Sequence, residues 1–127
     1  MAMTECPFCQ PLPPERVLAA SDAIVAFFDG FHVSPGHALV IPKRHVASLF
    51  DLPEPEYRER WAQVVEVRKR LAGQFHPAAC NIGVNDGAEA RQTVGHAHVH
   101  IIPRYAGDVP DPRGGIRWII PAKAKDW

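Results

Sequence analysis

Gly95-His96-Ala97-His98-Val99-His100-Ile101-Ile102-Pro103-Arg104 carries three of the chain's seven histidines at alternate positions. Successive side chains of an extended strand point to opposite faces, so this run puts His96, His98 and His100 on one side and Ala97, Val99 and Ile101 on the other. The apolar side suits burial under a helix. Three imidazoles in a row make poor core, because each needs hydrogen-bond partners once buried, and this face is expected to line a cleft. Neutral imidazoles serve two chemistries: metal ligation, and nucleophilic attack assisted by neighbouring donors. Periodicity does not choose between them. Just upstream, Asn85, Gln92 and Thr93 supply amide and hydroxyl donors, and Gly87 and Gly95 permit close backbone approach. Such donors, with no second carboxylate beside them, suit an anionic oxygen ligand better than a metal cage made of protein alone.

Working outward, Arg16–Ala20 and Asp22–Asp29 read as two short strands joined by a turn near Ser21-Asp22, since Ile24, Val25, Phe27 and Phe28 favour extended backbone and Asp29-Gly30 ends the run. Ser34-Pro35-Gly36 marks a turn into a third strand, His37–Pro42, which Pro42 terminates. A short helical turn is expected at His45–Phe50. The main helix is predicted over Glu54–Phe75, with Tyr57, Trp61, Val64, Val65, Leu71, Ala72 and Phe75 on its apolar face and Pro53 and Pro55 confined to its start. Cys80–Asn85 and His96–Pro103 complete five strands, joined by the polar loop Asp86–Gly95. The order β-β-β-α-β-β indicates an α+β domain, a largely antiparallel five-stranded sheet with one main helix on a face.

Gln92-Thr93-Val94-Gly95-His96-Ala97-His98-Val99-His100-Ile101-Ile102 resembles the signature of the histidine triad (HIT) superfamily. Ser34-Pro35-Gly36-His37-Ala38-Leu39-Val40-Ile41-Pro42-Lys43-Arg44-His45 is similar to that family's other hallmark segment, and Asn85-Asp86-Gly87 sits at the matching distance before the triad. The resemblance implies a HIT-like fold and a nucleotide hydrolase or transferase working through a covalent nucleotidyl-histidine. By position it makes His98 the nucleophile at the α-phosphorus and His100 a donor to the phosphoryl oxygens. Gln92 and Thr93 would contact the phosphate or leaving group, His37 would complete the histidine cluster, Asp29 would hold the ribose hydroxyls, and Asn85 would lie near the phosphates. Pro103-Arg104 leans towards a bacterial-type dinucleoside polyphosphate hydrolase such as one acting on diadenosine tetraphosphate. An adenosine 5'-monophosphoramidase and a non-catalytic nucleotide-binding adaptor are the alternatives. A homodimer formed by two sheets joining edge to edge is a further implication.

Cys6-Pro7-Phe8-Cys9 has three readings: a redox pair, half of a zinc site, or two unrelated thiols. Resemblance to histidine-triad proteins that begin in the same way implies a structural zinc held by Cys6, Cys9, His45 and His96. Cys80, flanked by Ala78, Ala79 and Ile82, reads as a small buried hydrophobe.

Composition bounds the partners. The chain has 127 residues, with 14 basic and 14 acidic side chains and zero formal net charge, which argues against a nucleic-acid polymer as ligand while leaving room for a local phosphate pocket. One domain over 1–127 is expected, with an N-terminal segment at 1–14 and a tail at 108–127 in which Ile116–Ile120 reads as a short strand. The tail, with Trp118 and Trp127, is expected to pack on a partner subunit or to border the cleft. No signal-like or membrane-length apolar run is present, and a cytoplasmic location is the expectation. Lys43, Arg44 and Arg104 are candidates for steering phosphates, and His32 and His76 have no partner at a recognisable spacing.

Overall fold

The β-favouring runs of the sequence form one sheet, whose order and pairing decide where the histidines point. A computed structural model describes residues 5–127. Its strands are β1 (Val17–Ala20), β2 (Ile24–Phe28), β3 (Ala38–Pro42), β4 (Ala79–Val84) and β5 (Val99–Arg104), and its helix is α1 (Glu54–Phe75). They lie in the order β1-β2-β3-β5-β4, with every neighbouring pair antiparallel. β5 is thus inserted between β3 and β4, which run the same way. The histidine run enters the sheet from its interior rather than from an edge.

α1 packs on one face. Ala26, Val40, Val99 and Ile101 from the sheet meet Val64, Val67 and Leu71 from the helix, with Tyr57 and Phe75 at the margins. Phe27, Leu39 and Ile41 face the opposite side, where Phe8 and Leu12 of the N-terminal segment cover them. Both faces of β3 are therefore occupied, which accounts for its unbroken apolar run.

The helix begins and ends where its sequence dictates. Pro55 falls in its first turn, where a missing N–H costs nothing. His76 closes it in the left-handed conformation, and Pro77 follows. From mid-helix, Glu59 accepts from Ser21 Oγ at 2.5 Å and Ala23 N at 2.7 Å, tying the β1–β2 turn to α1. These bonds hold the Glu59 carboxyl below its ordinary pKa, the Ser21 hydroxyl contributing most.

Three expectations need correction. The buried stripe of α1 runs through Arg60, Val64, Val67 and Leu71, and Trp61 lies outside it, 53% exposed. A stripe containing an arginine is tolerated because the Arg60 guanidinium stacks 4.4 Å from the Tyr57 ring centroid and 5.7 Å from that of Trp61. The short helical turn lies at Leu49–Asp51, later than expected, because the Ser48 side chain accepts from Phe50 N and caps it there. Ile116–Ile120 is no strand: Gly115–Ile119 forms a 3-10 turn. Its backbone groups bond within the tail, Arg117 N–H donating to the Gly114 carbonyl at 2.9 Å and Ile120 N–H to the Arg117 carbonyl at 3.2 Å, so they do not join a ladder.

Candidate active site and metal centre

β5 proper starts at Val99, so His96 and His98 lie in the segment that leads into it. The alternation still holds. Ala97, Val99 and Ile101 join the helix-side core, while His98 and His100 turn to the other face. The expected open cleft over all three imidazoles is not found: His96 is fully buried and His98 is 6% exposed, because the Cys6–Cys9 turn is folded over them.

Backbone groups fix the proton positions around the row. His98 Nδ1 lies 2.8 Å from the His96 carbonyl oxygen. A carbonyl only accepts, so Nδ1 carries the proton and Nε2 presents a lone pair. Val33 N–H donates to His37 Nδ1 at 3.1 Å, which puts the proton of neutral His37 on Nε2. That atom lies 3.0 Å from His100 Nδ1 and 3.5 Å from Asp29 Oδ2. His100 Nδ1 consequently accepts, and its Nε2–H is left as a donor. One backbone amide and one backbone carbonyl therefore leave a lone pair on His98 Nε2 and a donor on His100, whose ring centroids are 5.1 Å apart.

Burial keeps His37 and His100 neutral. The pKa of His100 is lowered to about 4, first by burial and then by His98 and His37, with Asp29 opposing. His37 is lowered for the same leading reason, and Asp29 partly offsets it. Asp29, His37 and His100 lie close enough together to suggest a metal. The donor set is against it, since His37 Nε2 bears the proton that its bond from Val33 requires.

The second cluster has the opposite character. His96 Nε2 lies 2.8 Å from the Pro42 carbonyl oxygen and donates to it, freeing Nδ1 as a ligand. His96 Nδ1 is 3.5 Å from both Cys6 Sγ and Cys9 Sγ and 3.3 Å from His45 Nδ1, and Cys9 Sγ is 3.2 Å from His45 Nδ1. A zinc tetrahedron with bonds of about 2.3 Å to sulfur and 2.0–2.1 Å to nitrogen has N···S edges of about 3.5 Å and N···N edges of about 3.3 Å. The donor set fits such an ion. Burial lowers the pKa of His96, against the Pro42 bond, which keeps it neutral and able to ligate.

The remaining candidates lie elsewhere. The Gln92 carboxamide shapes its own loop, accepting from Gly87 N at 2.9 Å and donating to the carbonyls of Ala47 at 2.8 Å and Val94 at 3.0 Å. Thr93 and Asn85 are exposed, and among the described residues no hydrogen bond joins either to the imidazoles. Arg44 pairs with Glu56, and Arg104 with Asp108 and Asn81, so neither guanidinium is free for phosphate steering in this arrangement. Cys80 is half-buried beside the core, and burial raises its thiol pKa, in keeping with an inert role. Sequence reasoning passed over Phe8, whose ring packs on His96 and His98. Its place inside the Cys-x-x-Cys turn was the available signal.

Two imidazoles two apart, a third delivered from the neighbouring strand and an Asp beside it form the observed constellation. Residues 11–107 match the HIT domain family. The chain belongs to the HIT family. An asymmetrical bis(5'-nucleosyl)-tetraphosphatase of Schizosaccharomyces pombe is 45% identical over 83 residues, 65% of this chain and 46% of that protein. The chain thus matches less than half the length of that HIT relative. The Bacillus subtilis protein named Protein hit is 32% identical over 103 residues, 79% of this chain and 71% of its own length. Among solved structures, a HIT family member from Bacillus subtilis superposes with a TM-score of 0.75 at 30% identity, covering 82% of this chain and 76% of that one. A Zn-bound histidine triad protein from Mycobacterium smegmatis gives a TM-score of 0.69 at 32% identity, covering 97% and 96%. One main helix on a five-stranded antiparallel sheet is the fold shared with these HIT proteins.

Proposed function

We propose that this HIT protein hydrolyses dinucleoside polyphosphates, such as diadenosine tetraphosphate, at the α-phosphate through a nucleotidyl-His98 intermediate. The observation that carries the reading is the 2.8 Å contact between His98 Nδ1 and the His96 carbonyl, which leaves Nε2 as a lone pair beside the His100 donor. His98 Nε2 attacks the α-phosphorus; an N–P bond forms, the bond to the bridging oxygen breaks, and the remaining nucleoside polyphosphate departs with that oxygen. Water then attacks the same phosphorus, the N–P bond breaks, and a nucleoside monophosphate leaves. Splitting the displacement in two lowers each barrier. The His100 Nε2–H stabilises charge on the phosphoryl oxygens, and it is present without reorganisation because burial keeps the ring neutral.

The other assignments belong to the same reading. Asp29 holds the ribose hydroxyls, His37 orients His100, and Asn85, Gln92 and Thr93 meet the phosphates or leaving group once the loop adjusts. The tetraphosphatase relative supports a polyphosphate substrate. An adenosine 5'-phosphoramidate would use the same nucleophile and differ only in its leaving group. The complete row of imidazoles speaks against a non-catalytic adaptor.

Zinc on Cys6, Cys9, His45 and His96 would neutralise two thiolates and pin the N-terminal segment to the strand that bears the nucleophile. The same reading takes 1–127 as one functional unit, with a metal-binding arm at 1–14 and the tail at 108–127. It also includes a homodimer joined at the free edge of β4 and a cytoplasmic setting; no helix among the described residues is long and apolar enough to cross a membrane.

His98→Ala is expected to abolish turnover of diadenosine tetraphosphate while nucleotide binding, measured by calorimetry, persists. Mass spectrometry of a reaction quenched rapidly in alkaline denaturant, which spares the N–P bond, should show a nucleotidyl adduct on wild type and none on the variant. Turnover surviving in His98→Ala refutes the covalent route, and catalytic efficiencies on a dinucleoside polyphosphate and a phosphoramidate rank the two substrates.

A further inference from the structure

The Cys6–Cys9 turn brings more than two thiols to the histidine strand. Cys9 N–H donates to the Cys6 carbonyl at 3.1 Å, which closes a tight knuckle, and Phe8 projects from inside it. The Phe8 ring stands edge to face against three rings at once. Its centroid is 5.2 Å from that of His98 at an interplanar angle of 80°, 5.9 Å from His96 at 74° and 5.6 Å from Phe27 at 65°. These are the spacings and angles at which ring quadrupoles attract.

His98 needs such a neighbour. Its single bond to the His96 carbonyl anchors Nδ1 but leaves the ring free to swing about that anchor, and torsions at an aromatic ring are broad. The Phe8 ring, at 5.2 Å and 80°, and the His100 ring, at 5.1 Å and 72°, both bear on it and restrict that swing, holding the Nε2 lone pair beside the His100 donor. A nucleophile held near its attack geometry avoids part of the entropic cost of reaction. The same two cysteines that flank Phe8 are metal-ligand candidates, so an ion held by them would also set the ring.

The geometry points to Phe8 as the positioning residue of the nucleophile, held against His98 by metal closure of the Cys6–Cys9 knuckle. This rests on His98 being the nucleophile. Phe8 is neither a metal ligand nor a group that touches the reacting atoms, and it acts only through the His98 ring. The N-terminal arm then has a task beyond stability: loading the metal couples to the rate of the chemical step.

The test uses the full chain and five variants, with zinc content, steady-state kinetics on diadenosine tetraphosphate and imidazole resonances read on each. His98 is assigned in long-range proton–nitrogen spectra with His98→Gln. Phe8→Ala and Phe8→Leu are expected to keep one zinc per chain and to lose about tenfold in kcat, the upper worth of one edge-to-face contact, with KM within about threefold. Phe8→Tyr, which keeps the ring, should restore kcat to within about threefold. Chelation of wild-type zinc should move the His98 ring resonances towards their Phe8→Ala positions. Should chelation unfold the chain, Cys9→His, which keeps four ligands on a longer arm, should give the same displacement together with reduced kcat.

Recovery of kcat in Phe8→Leu would show a plain apolar filler and overturn the proposal. A rise in KM alone would make Phe8 a substrate wall and overturn it as well. His98 resonances indifferent to chelation, or to Cys9→His, would remove the metal's part. Turnover surviving in His98→Gln would sink the proposed function itself, a failure distinct from that of the contact between the metal knuckle and Phe8.

Discussion

Lowering the pH should unfold this protein in a way that reports on one imidazole. His100 has an unfolded pKa near 6.5 and a folded value of about 4, set first by burial and next by His98 and His37. Between those limits the unfolded chain binds the proton and the folded chain does not, so stability falls as pH drops from 6.5 and levels off below about 4. Above 6.5 both states are neutral and this contribution is flat. At about 1.4 kcal/mol per pH unit the full span is worth about 3 kcal/mol, and water around the half-buried ring reduces it to roughly 2–3 kcal/mol. His100→Gln removes the titration while keeping an acceptor for the His37 Nε2–H. Urea denaturation of both proteins at intervals from pH 7.5 to 4.0 gives the comparison; protonation of the metal ligands and of other shared groups largely cancels in the difference. The gap between the two curves should change by roughly 2–3 kcal/mol across the window. Parallel curves would show that His100 is protonated as easily folded as unfolded, and the neutral relay from Val33 through His37 to His100 would be refuted.

Further outcomes follow from the same geometry. Protein purified without chelators or an affinity-tag metal should carry one zinc per chain, and free zinc a hundredfold above Kd should add about 2.7 kcal/mol, raising Tm by roughly 10 °C; metal analysis showing only a trace refutes the site. Gly36 has φ of +85°, and a Cβ there would lie 2.9 Å from Phe75 Cδ2, so Gly36→Ala should cost about 2 kcal/mol or more by chemical denaturation, a loss below about 0.5 kcal/mol counting against it. Deletion of residues 108–127 should change the oligomeric mass by light scattering or the kinetics. The tail lies along β4, with Ile116 beside Gly83, and leaves Ile116, Ile119 and Trp118 exposed; a truncated chain unaltered in both respects would show that this surface covers nothing.

Local patterns transmitted most of the fold. α1 spans Glu54–Phe75 because prolines and a left-handed His76 bound a helical run, signals that act over a few residues. Its inward stripe was less legible, since apolar side chains at 61 and 65 compete with the stripe through 60, 64, 67 and 71. Only the sheet, together with the two rings that receive Arg60, decides between them. The tail misled for a similar reason: Ile116–Ile120 has strand-like residues, and its backbone hydrogen bonds are spent locally, on the carbonyls of Gly114 and Arg117.

The sequence by itself determined which residues are candidates for the chemistry. Period-two spacing puts His98 and His100 on a common face because backbone geometry repeats, and resemblance to histidine-triad proteins, not spacing, joins Cys6 and Cys9 to His45 and His96 as a candidate metal set. Only the tertiary structure decided what state those residues are in. The proton positions depend on the Val33 amide and on the carbonyls of His96 and Pro42. The neutrality of His100 depends on burial, and the placing of Phe8 against His98 joins residues some ninety positions apart in sequence. Hydrogen bonds and desolvation at this site are set by atoms that folding brings together, and no local pattern encodes them.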